Sequence, residues 1–207
     1  MSEKGSAAQE APRQSAQLAP EDAARAAAYG LIARLFYLAP DKDLLGQILH
    51  AELFEGESEA SRAWRELVGA CRDACPVVLE NEHTELLVGT GKSEVTPYLS
   101  HYVLKHANDN PLVELRQQLV AWGIGRRETA FETEDHIAGV CETMRFAIAV
   151  QHRSDEEQKA FFDRFVYPGA AAFCDAVKAS PKAIFYGRVA RFSREFFELE
   201  REAFSML

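Results

Sequence analysis

The stretch from Phe131 to Gln151 sets the terms for the rest of the chain. It reads as an amphipathic helix. Thr133 can cap its start, and Glu134 and Asp135 then fall in the first turn, where negative charge suits the helix dipole. Ile137, Val140, Cys141, Met144, Ala147 and Ile148 follow at helical spacing and make one apolar stripe. Asp135, Gly139, Glu142 and Phe146 fall on roughly the opposite side. A solvated face has no need of a glycine and a phenylalanine, so this helix is expected to meet something on both sides, another helix or a ligand. His136 lies between the two faces, at the helix mouth.

The same spacing recurs along the chain. Pro20, Glu21 and Asp22 read as a helix start, followed by Tyr29, Ile32, Ala33, Phe36 and Tyr37, with Pro40 as the stop. Leu44, Leu45, Ile48 and Leu49 repeat the pattern in miniature, and Trp64, Leu67, Val68 and Cys71 align after an acidic loop. A helix opening at Pro76 should reach about Val88. Tyr98 and Tyr102 stand one turn apart in a short helix begun by Pro97, where they can share a face. Leu112, Leu115, Leu119 and Trp122 stripe the next helix, and the loop 124–132 leads into the central one. Ser154 caps an aromatic-rich helix carrying Phe161, Phe162, Phe165 and Val166, which should stop at Pro168. Ala170 to Ala179 and a last helix with Phe185, Val189, Phe192, Phe196 and Phe197 complete the pattern. No segment alternates with period two. The expectation is all-α: a single-domain bundle of about nine or ten helices over residues 20–207, preceded by a mobile tail at 1–19 that is rich in Ala, Gln, Ser and Pro.

Composition narrows the class. A chain of 207 residues that is 47% hydrophobic can bury one ordinary core. No apolar run reaches the roughly 18 residues of a membrane span, and no signal-peptide core opens the chain, so a cytoplasmic location is expected. The net charge of −9 and the lack of a basic cluster speak against nucleic acid and suit a cationic partner. Of the four cysteines, Cys71, Cys75, Cys141 and Cys174, three lie at buried-looking helical positions, which fits small core residues in a reducing compartment rather than a disulfide framework.

Catalytic constellations are sparse. Residues 89–97, Gly-Thr-Gly-Lys-Ser-Glu-Val-Thr-Pro, have the composition of a phosphate loop but neither its spacing nor a preceding strand, so nucleotide binding centred on Lys92 is not expected. A di-iron bundle needs two Glu-x-x-His motifs, and Glu80–His83 supplies one. Asp135 and His136 can be read as an acid–base pair or, more blandly, as an acidic first turn beside a histidine pinned by packing; neighbours on a helix point about 100° apart. The reading is of a protein that is not an enzyme, with no metal and no cofactor. The alternatives are a guanine-nucleotide-binding helical protein, or a metal or redox protein using Glu80, His83 and the cysteines.

The combination Pro97-Tyr98-x-Ser100-x-Tyr102, Leu115-Arg116, and Glu134-Asp135-His136-Ile137-Ala138 with Glu142 and Met144 following resembles the TorD/DmsD/NarJ superfamily, the maturation chaperones of molybdenum-containing oxidoreductases. Glu82-His83-x-x-Leu86-Leu87-Val88-Gly89 is similar to the family's Glu-Tyr-x-x-Leu-Phe-x-Gly segment, with His83 replacing the tyrosine. Phe185-Tyr186-x-x-Val189-Ala190-x-Phe192 is similar to its last helix. Where the family often carries His-Leu-x-Pro-Trp, this chain has Phe165-Val166-Tyr167-Pro168-Gly169. The resemblance implies an all-helical cytoplasmic chaperone. Its partners would be the apo-form of a molybdoenzyme catalytic subunit, the N-terminal signal peptide of that subunit, often twin-arginine, and the proteins of molybdenum-cofactor biosynthesis. It implies a peptide site at Pro97, Tyr98, Ser100, Tyr102, Asp135, His136 and Glu142, with Asp135 meeting an arginine fork, the tyrosines giving amphipathic contact and His136 held neutral.

Overall fold

The computed structural model describes residues 18–51, 54, 56–89, 93–103, 110–125 and 131–207. Residues 1–17 of the expected tail, Lys92 and residues 126–130 of the loop before the central helix lie outside this set. Among the described residues ten α-helical segments are present and no strand. No helix among them is long and apolar enough to cross a membrane.

Proline and short polar side chains fix most of the starts. Helix α1, Pro20–Tyr37, opens on Pro20 with Glu21 and Asp22 in its first turn. Helix α2, Lys42–His50, is capped by Asp41, whose carboxylate accepts from Leu44 N–H at 2.8 Å. Helix α3, Glu59–Arg72, is capped by Ser58, and α8, Asp155–Phe161, by a capping box between Ser154 and Glu157. Helix α4, Pro76–His83, widens into a π-helical turn at Thr84–Val88 and stops at Gly89, whose φ of 66° is a backbone state that glycine adopts freely. The remaining helices are α5 Ser100–Val103, α6 Pro111–Ala121, α7 Ile137–Ala149, α9 Tyr167–Ala179 and α10 Phe185–Ser205.

Helix α7 is the hub. Ile137, Val140, Cys141, Met144, Ala147 and Ile148 are all essentially inaccessible, and the helix packs along α1. Helix α10 lies across α3 and α9. Its aromatics close the core: Phe196 meets Tyr29 edge-on at 4.8 Å, and Phe192 meets Trp64 at 5.3 Å. Cys71, Cys141 and Cys174 are buried free thiols, and Cys75 is exposed.

Three features depart from the sequence reading. Helix α7 begins at Ile137, not after Thr133, and ends at Ala149. Helix α5 begins at Ser100, so Tyr98 precedes it and shares no helical face with Tyr102. Pro168 does not stop its helix. Helix α8 runs through a π-helical turn at Phe162–Val166 directly into α9, with Tyr167 N–H bonding Phe162 O five residues back. The π turn shifts the hydrogen-bond register at the position where proline has no N–H to give, so the rod continues.

Candidate functional site

Two segments far apart in sequence are stitched together behind the site. Leu99 N–H donates to Asp135 O at 2.8 Å and Ile137 N–H donates to Pro97 O at 2.9 Å, an antiparallel bridge centred on Tyr98 and His136. Pro97 has no N–H, and the bridge asks only for its carbonyl. Gly169 at the start of α9 lets this bridge sit deep. A Cβ there would lie 2.8 Å from Leu99 Cβ and 2.9 Å from its carbonyl oxygen.

His136 is the N-cap of α7. Its Nδ1 accepts from Ala138 N–H at 3.1 Å, which requires that nitrogen to be unprotonated. The ring is buried, with the Tyr98 ring 5.6 Å away and the Tyr37 ring 6.3 Å away, both edge-on. Burial pushes its pKa down to about 4, against the opposing pull of Glu132 and Asp135. Asp135 is also buried, and its Oδ1 accepts from Thr133 Oγ1 at 2.6 Å. Thr133 therefore steadies Asp135 and leaves the capping of the helix to His136. Nδ1 of the His136 ring is committed to the helix backbone and so is not offered to Asp135.

The other expected residues divide. Asp135 and Ser100 line one small cleft, together with Leu99, Val103, Pro111, Leu115, Val140, Arg164 and Phe165. Pro97 and His136 form the bridge behind it. Tyr98 donates its hydroxyl to the Glu132 carboxylate, and that bond is the first cause of a pKa raised to about 12. Tyr102 donates to Thr96 O at 2.8 Å and is half-buried, its ring 6.2 Å from Phe173. Glu142 is exposed on α7, pairs with Arg145 through its side chain, and does not line the cleft. The second side of α7 is met near its start by the incoming chain, since a Cβ on Gly139 would lie 3.0 Å from Glu134 O; farther on, Glu142 faces solvent.

A second recess of about 350 Å³ continues alongside, lined by Gln118, Trp122, Glu157, Ala160, Phe161, Arg164 and Phe165. Pro111, Leu115, Gln118 and Trp122, at spacings of four, three and four, give both recesses a common wall on and just beyond α6. The apolar stripe of α6 signalled part of this wall in the sequence. The contributions of Arg164 and Phe165 carried no such signal, because they depend on the π turn.

His83, which the sequence offered with Glu80 as part of a metal set, is engaged elsewhere, as is its neighbour Glu82, while Glu80 is exposed. His83 is buried with Nε2 3.3 Å from Phe36 O, and burial lowers its pKa. Glu82 receives the backbone N–H groups of Phe185 and Tyr186, at 3.2 and 2.8 Å, and so caps α10. Among the described residues no group of three or more His, Cys, Asp or Glu is placed to hold a metal ion.

The model of the nitrate reductase delta subunit family matches residues 55–175, more than half of the chain and every residue that lines the two recesses. The chain belongs to this family. Nitrate reductase delta subunits of the NarJ/TorD type are redox-enzyme maturation chaperones, not a family of catalysts. The all-helical fold is shared with a protein assigned to redox enzyme maturation from Archaeoglobus fulgidus, at 16% identity, over 88% of this chain and 96% of that one, with a TM-score of 0.52. Comparison with curated proteins finds no match.

Proposed function

We propose that this delta-subunit-family protein binds the signal peptide, of the twin-arginine kind, and the apo-form of a molybdenum-containing oxidoreductase subunit in the cytoplasm, assisting cofactor insertion and delaying export. The observation that carries the reading is the cleft within the family-matched region: apolar walls from Leu99, Val103, Pro111, Leu115, Val140 and Phe165 around the carboxylate of Asp135. A signal peptide has matching chemistry, an apolar helical stretch behind a cationic end. Burial of about 400 Å² of apolar surface contributes on the order of 10 kcal/mol, much of it offset by ordering the peptide. Asp135 adds selectivity more than affinity, since a hydrogen bond to a charged carboxylate contributes about 1.5 to 3 kcal/mol, less than the apolar burial.

Calorimetry with the signal peptide of the oxidoreductase that co-purifies with the chain tests the proposal. Serine in place of leucines in the peptide's apolar stretch should nearly abolish binding. Asp135→Asn should weaken it modestly and blunt the preference for twin arginine over twin lysine. Binding that is indifferent to the apolar stretch would defeat the reading.

A further inference from the structure

The two recesses meet at Arg164 and Phe165, which line both, and Arg164 is held there in an ion pair. Their common wall, on α6 and the turn that follows it, runs about 16 Å, at 1.5 Å for each of the 11 residues of α6. Arg164 and Phe165 come from the π turn. The Arg164 guanidinium crosses to Glu114 on α6, with Nε 3.0 Å from Oε2. The pair joins residues 50 apart in sequence, and it is wet: the two side chains are 63% and 45% exposed. Nε and Nη2 both converge on Oε2, whereas the strong arrangement of guanidinium and carboxylate uses both oxygens in parallel. Such a pair is easily exchanged for another cation. Asp135, by contrast, sits on the cleft floor, 5% exposed and held by Thr133.

We infer that Arg164 is a built-in placeholder for the arginine of an incoming peptide, and that Glu114 is the rim carboxylate that receives that arginine once Arg164 swings away. This inference rests on the signal-peptide reading and deepens it. The occupant it commits to is a peptide with an arginine next to an apolar helix. The argument for that occupant is charge complementarity: a guanidinium already occupies the position, between apolar walls, in a chain of net charge −9. Release of Arg164 also frees a side chain that lines both recesses, which widens the space for the apolar part.

The test uses two synthetic probes, one with two adjacent arginines ahead of a leucine-rich helical stretch and one with lysines in their place, titrated into the intact chain and its variants. Arg164→Gln should tighten the arginine probe about two- to fivefold, the range set by the weight of an exposed pair. Glu114→Gln should weaken it by a similar factor and reduce the preference over lysine. A pair that is merely structural moves both variants in the same direction. The double variant separates placeholder from simple repulsion: against Glu114→Gln, adding Arg164→Gln should change nothing. Thermal melts confirm that each variant is folded. If the gain from Arg164→Gln persists without Glu114, or if wild type binds and Arg164→Gln has no effect, the placeholder is overturned and the chaperone reading stands. If neither wild type nor Arg164→Gln binds either probe, both fall.

Discussion

The chain pairs a carboxylate with an arginine across helices in two contrasting places. Between α10 and α1, Glu200 is 3% exposed and receives Arg25 Nε at 2.8 Å on one oxygen, and Arg25 Nη2 and Tyr29 Oη, both at 3.0 Å, on the other. The Arg25 guanidinium also lies over the Phe204 ring at 5.1 Å. At the groove, Glu114 and Arg164 meet through one oxygen, in water. The chemistry is the same, and solvent decides what it does. A dry, fully partnered pair is architecture, because separating it strands a charge. A wet pair contributes little and can be exchanged, which is what a binding surface needs.

The largest effect should come from breaking the dry pair. Glu200→Ala leaves the part-buried Arg25 with Asp22 alone and Tyr29 Oη without its acceptor, and should cost about 3 kcal/mol in denaturant unfolding. A loss no greater than that of Glu114→Ala would erase the contrast.

His136 asks whether the bridge behind the cleft belongs to the dry side. Its folded pKa is about 4, below an unfolded value near 6.5, so the unfolded state takes up the proton first as pH falls. Its contribution is complete above about pH 6.5 and is lost progressively toward pH 4, on the order of 3 kcal/mol in all. His83 adds to the same trend, its pKa also being lowered by burial. Unfolding free energy followed from pH 7 to 4 should show this slope, and His136→Asn should flatten it.

Gly169→Ala sharpens the comparison at the back of the cleft. The new methyl meets Leu99 backbone and Cβ within 3 Å, with no flexible side-chain end to yield. A cost of about 1 to 3 kcal/mol is expected, together with weaker binding if the bridge moves. The smallest effect belongs to the wet pair: Glu114→Ala should change stability by less than about 1 kcal/mol.

Much of the fold was legible because its signals are local. Pro20 with Glu21 and Asp22, the stripe Trp64–Leu67–Cys71, and Ser154 as a cap each announce a helix or its end within a few residues. The errors came where a distant partner overrides a local signal. Thr133 looked like a cap until the Tyr98–His136 bridge set the cap three residues later, at His136. Pro168 looked like a stop, but a π turn absorbs its missing donor. Tyr98 and Tyr102 looked like one helical face, but the bridge holds Tyr98 in extended chain. Asp135 and Ser100 do reach a common cleft, yet Pro111, Leu115, Arg164 and Phe165 of its lining come from α6 and the π turn, and of these only Leu115 belonged to a motif that linked them.

The capping of α10 by Glu82 has a consequence for how the protein comes off the ribosome. The donors that Glu82 receives lie 103 and 104 residues downstream, and the aromatics that cover Tyr29 and Trp64 lie farther still. Loop closure over such distances is slow, and the contacts that reward it form last. While it is being synthesised, the chain therefore carries an uncovered apolar surface until α10 emerges. A protein whose family guards other chains before they are complete has, during its own birth, the same need for protection.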